Sequence, residues 1–250
     1  MPSRQSSSWP AGRSSVVWDD LRRTLDELGQ LRGRELVVVD AGGGSGGYAV
    51  PVAELGHQVI VVDPSPDSLA SLERRASEAG VGARVSARQG DLDSLAEVVG
   101  PEQADVLLCH DVLEFADDPV AGLAAAAAAL RPAGVLSLLA ANRSAAVLGR
   151  VLAGRFEAAE HVLHGDAPAG TDRALRRFDL DELVVLVEAV GLSVVELSGD
   201  RVFSDLVPGA ALDIEPHSQE VLARLEATVA RLPVYRSMAT KIHLLASKPG

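Results

Sequence analysis

The segment 36–63 constrains the fold more strongly than any other part of the chain. It contains an apolar run at 36–39, a glycine cluster at 42–47 and a second apolar run at 59–62, which ends in Asp63. Short valine-rich runs bounded by glycine are typical of buried parallel strands. Glycines let the backbone approach a ligand closely, and a helix that follows them offers unpaired N–H groups at its start. An acid at the tip of the second strand can accept hydrogen bonds from ribose hydroxyls, so the segment predicts a nucleoside site on a parallel α/β sheet.

Two kinds of nucleoside site fit this pattern. Gly42-x-Gly44-x-x-Gly47 satisfies the dinucleotide fingerprint, with an acid about twenty residues further on, so a nicotinamide-dependent oxidoreductase is one interpretation. Asp40, however, begins the turn and gives it the order Asp-x-Gly-x-Gly. The string Val-Val-Asp-Ala-Gly-Gly-Gly-Ser-Gly resembles motif I of the class I S-adenosylmethionine-dependent methyltransferases, and this resemblance favours S-adenosylmethionine as the cofactor.

Further motifs resemble that family in the same order. Gly90-Asp91-Leu92 follows a predicted strand at 84–89, a fourth strand is predicted at 104–110, and a helix end, a turn and a fifth strand occupy 130–136. The resemblance implies a Rossmann-like α/β fold with a seven-stranded, mostly parallel sheet, helices on both faces and an antiparallel last strand.

The chain is expected to form a single domain over 13–250 after a flexible N-terminus at 1–12. Its predicted parts are an N-terminal helix within 13–34 that stops at Gly29, a cofactor-binding core at 35–141, an insertion at 142–178 and a C-terminal part at 179–250. The alternation of strands and helices stops in the insertion, which follows the fifth strand. Because ligands bind at the carboxyl ends of parallel strands, the insertion is predicted to be a lid over the methyl acceptor.

The resemblance extends beyond the shared motifs. Segments 110–119, 151–156, 200–205 and 241–249 are similar to the bacterial tRNA methyltransferases that esterify wobble uridine-5-oxyacetic acid. This implies a carboxylate of a modified tRNA uridine as the acceptor. The lysine-rich run of that family is replaced here by 164–170, so methylation of a small anionic metabolite is an alternative, and a regulatory protein that binds S-adenosylmethionine without catalysis is another.

The resemblance also implies roles for individual residues. Arg13 is expected to contact the methionine carboxylate, Asp63 the ribose, and His110 the sulfonium side. The complete predicted cofactor set is Arg13, Asp40, Gly42, Gly43, Gly44, Asp63, Asp91, Leu92 and His110, with Asp91 and Leu92 around the adenine. The predicted acceptor-binding residues are Arg143, Arg173, Arg176, Arg177 and Arg201. A carboxylate acceptor is ionised near neutral pH and needs no general base, whereas a hydroxyl or amine acceptor would make His110, Asp111 or Glu114 the candidate base.

Composition limits the partners that the protein is expected to bind and the cell compartment in which it is expected to work. The formal net charge of −12 opposes nonspecific binding to nucleic acid or to anionic membranes, although a local basic patch remains compatible with it. One cysteine, Cys109, fits a reducing interior, and no apolar run is long enough to span a membrane, so a cytoplasmic protein is expected. His161-x-x-His164 lacks a suitably spaced third ligand, and no metal is expected.

Overall fold

The computed structural model describes residues 15–165, 176–209 and 217–250, and their centre is a seven-stranded sheet in the order β3-β2-β1-β4-β5-β7-β6. β7 runs antiparallel to both of its neighbours, whereas the other pairs are parallel. The predicted mostly parallel sheet with an antiparallel last strand is therefore confirmed. The strands are β1 Val37–Ala41, β2 Gln58–Asp63, β3 Val85–Gln89, β4 Ala104–His110, β5 Leu130–Ala141, β6 Ser193–Asp200 and β7 Lys241–Ser247.

Helices cover both faces of this sheet. They are α1 Ser15–Arg32, α2 Ala49–Glu54, α3 Pro66–Glu78, α4 Leu95–Val99, α5 Pro119–Ala129, α6 Arg143–Leu152, α7 Phe156–His164, α8 Leu180–Ala189, α9 Ser218–Val229 and α10 Pro233–Arg236. The first three pack with β1, β2 and β4 in one apolar cluster, while α4, α5 and α8 pack in a second cluster on the opposite face. Every residue of β4 is buried, as expected for a central parallel strand covered on both sides.

The start of α5 follows directly from its sequence. Asp118 caps the helix, because its Oδ1 accepts hydrogen bonds from the backbone N–H groups of Val120 and Ala121 at 2.9 and 3.2 Å. Pro119 occupies the first helical position, where its missing donor is not needed. The small alanine side chains that follow let the helix lie close to the sheet.

The predicted end of the first helix is wrong. The helix passes through Gly29 and ends at Arg32, and Gly33 then adopts a left-handed φ of +62°. Contacts with the sheet hold the additional turn, since Arg32 pairs with Asp105 at 2.7 Å and donates to the carbonyl oxygen of Pro132 at 3.1 Å. A glycine within a helix lowers its intrinsic stability only modestly, so tertiary contacts outweigh the local preference.

The insertion contains two helices that the sequence analysis did not identify. Asn142 starts α6 by accepting a hydrogen bond from the backbone N–H of Ser144 at 3.0 Å, and α6 then packs against α7. Of these two helices only Ala159, in α7, is buried. The assignment of the segment as a lid stays a prediction. Within the described residues, no helix is both long enough and apolar enough to cross a membrane.

Candidate functional site

The glycine turn between β1 and α2 is fastened to the end of β2. The backbone N–H of Gly42 donates to the carbonyl oxygen of Val62 at 2.7 Å, and that of Gly44 donates to Asp63 Oδ2 at 2.9 Å. Gly42, Gly44 and Gly46 have φ values of +71°, +55° and +81°, a region that other residues rarely adopt. The turn therefore requires glycine for its backbone conformation as well as for access by a ligand.

Gly43 lies directly over Asp40, which is 2% exposed near the end of β1. A Cβ atom at Gly43 would lie 2.5 Å from Asp40 Oδ2 and 2.9 Å from Val61 Cγ1. Asp40 is not among the residues that line the cavity described below, and its carboxylate lies beneath the turn. Asp40 is thus placed to support the turn from below. Its contact with the cofactor remains a prediction.

Replacement of Gly43 with alanine is expected to weaken binding of S-adenosylhomocysteine about tenfold, because overpacking in a tight site forces the backbone to shift. Isothermal titration calorimetry measures the dissociation constant. Gly29→Ala is the control, since its Cβ would meet only His57 Cε1, at 3.9 Å. Equal dissociation constants for the two variants would contradict the assigned role of this turn.

Asp63 holds the second side of the turn. Its side chain is 8% exposed, Oδ1 accepts from the backbone N–H of Ser65 at 2.9 Å, and Oδ2 accepts from that of Gly44. Each carboxylate oxygen can accept two hydrogen bonds, so one acceptor position remains on each oxygen. Because Asp63 also lines the cavity, these positions are available to ribose hydroxyls.

A cavity of about 360 Å³ opens beside this turn at the carboxyl ends of the strands. Its volume lies within the range of small-molecule sites. The lining residues are Gly42, Asp63, Pro64, Asp91, Leu92, Asp93, Asp111, Val112, Phe115, Ala116 and Asp117. Four of the predicted cofactor residues, Gly42, Asp63, Asp91 and Leu92, therefore meet in one place. The prediction did not include Asp93, Phe115 and Asp117, although their position shortly after the ends of β3 and β4 is a signal that could have identified them.

Asp91 and Leu92 contribute a polar and an apolar side chain to the lining of the cavity. Asp91 Oδ1 accepts from the backbone N–H and from Oγ of Ser94, at 2.9 and 2.7 Å, and these hydrogen bonds hold the pKa of Asp91 below its usual range. Leu92 is 2% exposed and belongs to the apolar core. One polar edge beside one apolar surface suits a purine ring, which presents both.

The predicted base candidates lie at and just after the end of β4. Asp111 lines the cavity, has a left-handed φ of +59° and pairs with Lys241 at 2.5 Å. Glu114 is 8% exposed, its Oε1 accepts from the backbone N–H of Ala141 at 2.6 Å, and burial raises its pKa. His110 is buried, and its Nε2 lies 2.8 Å from Ser137 Oγ. Of the three, Asp111 alone is part of the cavity lining.

The predicted acceptor-binding arginines have different surroundings. Arg143 pairs with Asp179 and Glu182 at 2.5 and 2.8 Å, so its guanidinium joins α6 to the start of α8. Arg201 pairs with Asp205 in the loop after β6. These ion pairs give both side chains a structural role that the sequence did not indicate.

Arg176 lies beside the cavity, and Arg177 follows it in the sequence. Arg176 donates to the carbonyl oxygen of Ala116, a lining residue, at 3.3 Å. Arg177 is half-buried, and burial together with the charge of Arg150 lowers its pKa. Arg13 and Arg173 lie outside the described residues, so their predicted contacts remain predictions.

Metal-binding geometry is not found in the part of the chain that the structure describes. No group of three or more His, Cys, Asp or Glu side chains there could hold an ion. Cys109 is buried in β4, where burial raises the pKa of its thiol. A buried thiol of this kind serves packing and not nucleophilic chemistry.

The residues present fit S-adenosylmethionine. A Cβ at Gly42 would lie 2.2 Å from Val112 Cγ2, so the wall of the cavity at this point is backbone that only glycine leaves open. Asp63 offers acceptors for ribose hydroxyls, while Asp91 and Leu92 offer polar and apolar contact for a base. Carboxylates around the opening also favour a ligand that carries a positive charge.

Comparison with known proteins agrees with this geometry. A family described as "Methyltransferase domain" matches residues 39–138. The tRNA 5-carboxymethoxyuridine methyltransferase of Escherichia coli (strain K12) is 32% identical over 247 residues, which cover 95% of this chain and 88% of that protein. A ubiquinone biosynthesis O-methyltransferase of Azorhizobium caulinodans is 32% identical over 177 residues, covering 71% of this chain and 64% of the relative.

Solved structures share the fold at lower identity. The crystal structure of an S-adenosylmethionine-dependent methyltransferase from Mesorhizobium loti aligns with a TM-score of 0.59 and 17% identity over 94% of this chain and 98% of its own. These matches and the cavity beside the glycine turn lead to one conclusion. The chain belongs to the class I S-adenosylmethionine-dependent methyltransferases, in the family that includes the tRNA 5-carboxymethoxyuridine methyltransferase of Escherichia coli.

Proposed function

We propose that this methyltransferase transfers the methyl group of S-adenosylmethionine to a carboxylate of a modified uridine in tRNA. One observation carries the proposal, namely that similarity to the tRNA enzyme extends over 95% of the chain, well beyond the matched methyltransferase domain at 39–138. The aligned length therefore also includes most of the chain outside 39–138, where the insertion follows the carboxyl end of β5, the edge of the sheet at which ligands bind in folds of this kind. Action on tRNA would also place the protein in the cytoplasm.

For this reaction the protein mainly has to bind the cofactor and the acceptor and to orient them. S-adenosylmethionine supplies an activated methyl group on its sulfonium. A carboxylate acceptor is already ionised, so the site needs no proton acceptor, and holding the reactants in line while excluding water supplies most of the rate enhancement. This agrees with the state of Asp111 and Glu114, whose carboxylates are engaged by Lys241 and by the backbone of Ala141.

Positive charge beside the cavity supports an anionic acceptor. Arg176 reaches the rim at Ala116, and Arg177 is its neighbour in the sequence. A guanidinium group can hold a carboxylate by paired hydrogen bonds. We propose that Arg177, one of the predicted acceptor-binding residues, contacts the acceptor carboxylate.

A methyl-transfer assay tests the acceptor. Wild-type protein is incubated with S-adenosylmethionine labelled at the methyl group and with tRNA from bacterial cells that lack the wobble methyl ester. A methyl ester is released as methanol in mild alkali, whereas an ether or an N-methyl group is stable, so alkali-labile label in tRNA is the expected result. Fully esterified tRNA is the matched negative control. Binding of S-adenosylhomocysteine without methyl transfer to tRNA would contradict the proposal that tRNA is the acceptor. It would favour a small anionic metabolite as the acceptor, or a regulatory role without catalysis.

Replacement of Arg177 with methionine is expected to reduce kcat/KM for the tRNA substrate about tenfold, since a hydrogen bond between charged groups contributes about 1.5–3 kcal/mol. Binding of S-adenosylhomocysteine should be unchanged. Arg74→Met on α3 is the control, because Arg74 is 67% exposed and its partner Glu78 lies 4.0 Å away. A loss equal to that of the control variant would argue against Arg177 as an acceptor contact.

A further inference from the structure

Phe115 presents a large apolar side chain at the edge of the cavity. It is one of the lining residues, yet it is 64% exposed. The two residues before it are buried, since Leu113 is 0% and Glu114 is 8% exposed. An aromatic ring in such a place is a flat apolar surface, and a second planar group that stacks on it removes that surface from water.

The short turn that carries Phe115 is held in place by its neighbours. Leu113 belongs to the apolar core, and Oε1 of Glu114 accepts a hydrogen bond from the backbone N–H of Ala141 at 2.6 Å. The backbone N–H of Phe115 donates to the carbonyl oxygen of Val112 at 2.9 Å and closes the turn. Because these contacts fix residues 113 and 114 towards the interior, the outward position of Phe115 is built into the fold.

This turn lies on the side of the cavity that is closer to the insertion. It follows β4, which stands between β1 and β5 in the sheet, whereas the residues assigned to the ribose and the base follow β2 and β3. The turn contacts the end of β5 through Ala141. Directly after it, the carbonyl oxygen of Ala116 accepts from Arg176 of the insertion at 3.3 Å. Phe115 therefore lies towards the predicted lid, where an acceptor would enter.

The charges of the cavity lining do not favour an anionic acceptor. Among the described residues, the lining contains no lysine or arginine but five aspartates, namely Asp63, Asp91, Asp93, Asp111 and Asp117. Carboxylates repel an anion, so the lining can contribute to acceptor binding mainly through an uncharged surface. Phe115, with Val112 and Ala116 beside it, forms the apolar part of the lining that follows β4.

We propose that Phe115 binds the acceptor by stacking on the uracil ring of the modified uridine, while the carboxylate of that uridine extends inward to the methyl group of the cofactor. The inference rests on the proposed function and adds a residue that selects a planar acceptor. Bases of single-stranded RNA are commonly recognised by stacking on aromatic side chains. Because the carboxylate has to reach the cationic sulfonium inside the cavity, the ring that carries it stays at the edge, where Phe115 lies.

Kinetics with the tRNA substrate test the stack. Phe115→Ala should lower kcat/KM for tRNA about tenfold, as expected for loss of a ring on which a base stacks, and should leave the dissociation constant of S-adenosylhomocysteine unchanged. Leu31→Ala is the control, because Leu31 is 79% exposed and its neighbour Arg32 pairs with Asp105 at the amino edge of the sheet. A loss no larger than that of the control would overturn the proposal. Weaker binding of S-adenosylhomocysteine to Phe115→Ala would also overturn it, because the ring would then contact the cofactor.

Two further replacements distinguish stacking from simple apolar contact. Phe115→Tyr keeps an aromatic face and should retain most of the wild-type kcat/KM. Phe115→Leu keeps an apolar side chain without such a face and should lose nearly as much as Phe115→Ala. If Phe115→Leu were as active as wild type, the stack would be contradicted.

The wild-type protein separates this inference from the proposed function. If wild type transferred no methyl group to tRNA, the proposed function and the stack would both be overturned. If wild type transferred the methyl group and Phe115→Ala did so equally well, the stack alone would be overturned. All three replacements change an exposed side chain, so the variants should fold, and thermal unfolding checks this.

Discussion

Asp63→Ala should weaken binding of S-adenosylhomocysteine by about 100-fold or more, because each hydrogen bond to an ionised group contributes about 1.5–3 kcal/mol and the ribose offers two hydroxyls. The carboxylate also accepts from the backbone N–H groups of Gly44 and Ser65, both at 2.9 Å. Its removal therefore loosens the glycine turn as well as the ribose contact, and both losses weaken the same ligand.

Calorimetry on the purified variants measures this effect. Asp67→Ala is the matched control, since Asp67 is an exposed acid four residues further on, in the first turn of α3. Asp63→Asn keeps one acceptor oxygen and should lose less affinity than Asp63→Ala. Thermal unfolding without ligand reports separately how far the turn itself is destabilised. A dissociation constant that is unchanged in Asp63→Ala would show that the ribose lies elsewhere.

The sequence predicted those parts of the fold whose patterns are local. The bounds of β4 match the predicted 104–110, because a run of apolar residues determines this strand. The glycine turn was predicted equally well, since its left-handed residues and its close approach to Asp40 and Val112 permit no other side chain. Gly42, Asp63, Asp91 and Leu92 meet at one cavity for the same reason, as they follow the carboxyl ends of neighbouring strands.

Features that depend on contacts distant in sequence were missed. The helices α6 and α7 bury almost no side chain, although their apolar residues recur at helical spacing, and the sequence analysis overlooked that spacing. The arginines of this region could not be sorted into ligand contacts and structural ion pairs, because the partners of Arg143 lie 36 and 39 residues away. Likewise, buried polar contacts link Asp20 of α1 through Ser198, His243 and Ser137 to His110 of β4. The strands that carry these residues are neighbours in the sheet but distant in the sequence.

The sequence analysis also gave no role to Asp105, although this residue connects four elements at the amino ends of the strands. It is completely buried, and its carboxylate contacts Arg32 at 2.7 Å, Arg34 at 2.8 Å and Arg131 at 3.0 Å. It also accepts from the backbone N–H of Val37 at 2.8 Å. This single side chain thereby joins the end of α1 and the starts of β1, β4 and β5, and it explains why α1 continues beyond Gly29.

Asp105→Ala should lower the free energy of unfolding by about 2–3 kcal/mol. The loss lies somewhat below the 3–5 kcal/mol typical of a broken buried ion pair because the three arginine side chains are 19, 44 and 27% exposed, so their guanidinium groups regain water. Urea denaturation at pH 7 measures the change. Glu78→Ala, which removes an exposed partner of Arg74, should leave the midpoint within error. If the free energy of unfolding changed as little in Asp105→Ala as in this control, the role of Asp105 as an anchor would be contradicted.

The pH dependence provides a second, independent test of the same anchor. Burial alone would raise the pKa of Asp105, but the hydrogen bonds from Arg34 and from the backbone of Val37, with the charges of Arg131 and Arg32, outweigh it and hold the pKa below its usual range. Since the folded-state pKa lies below the unfolded one, the stabilisation is complete above the unfolded value of about 4 and disappears as the pH falls through the folded pKa. The difference in stability between wild type and Asp105→Ala should thus be constant from pH 7 down to about pH 5 and shrink in more acidic solution. A difference that grew on acidification would mean that Asp105 is protonated more readily in the folded protein, which its contacts with three guanidinium groups oppose.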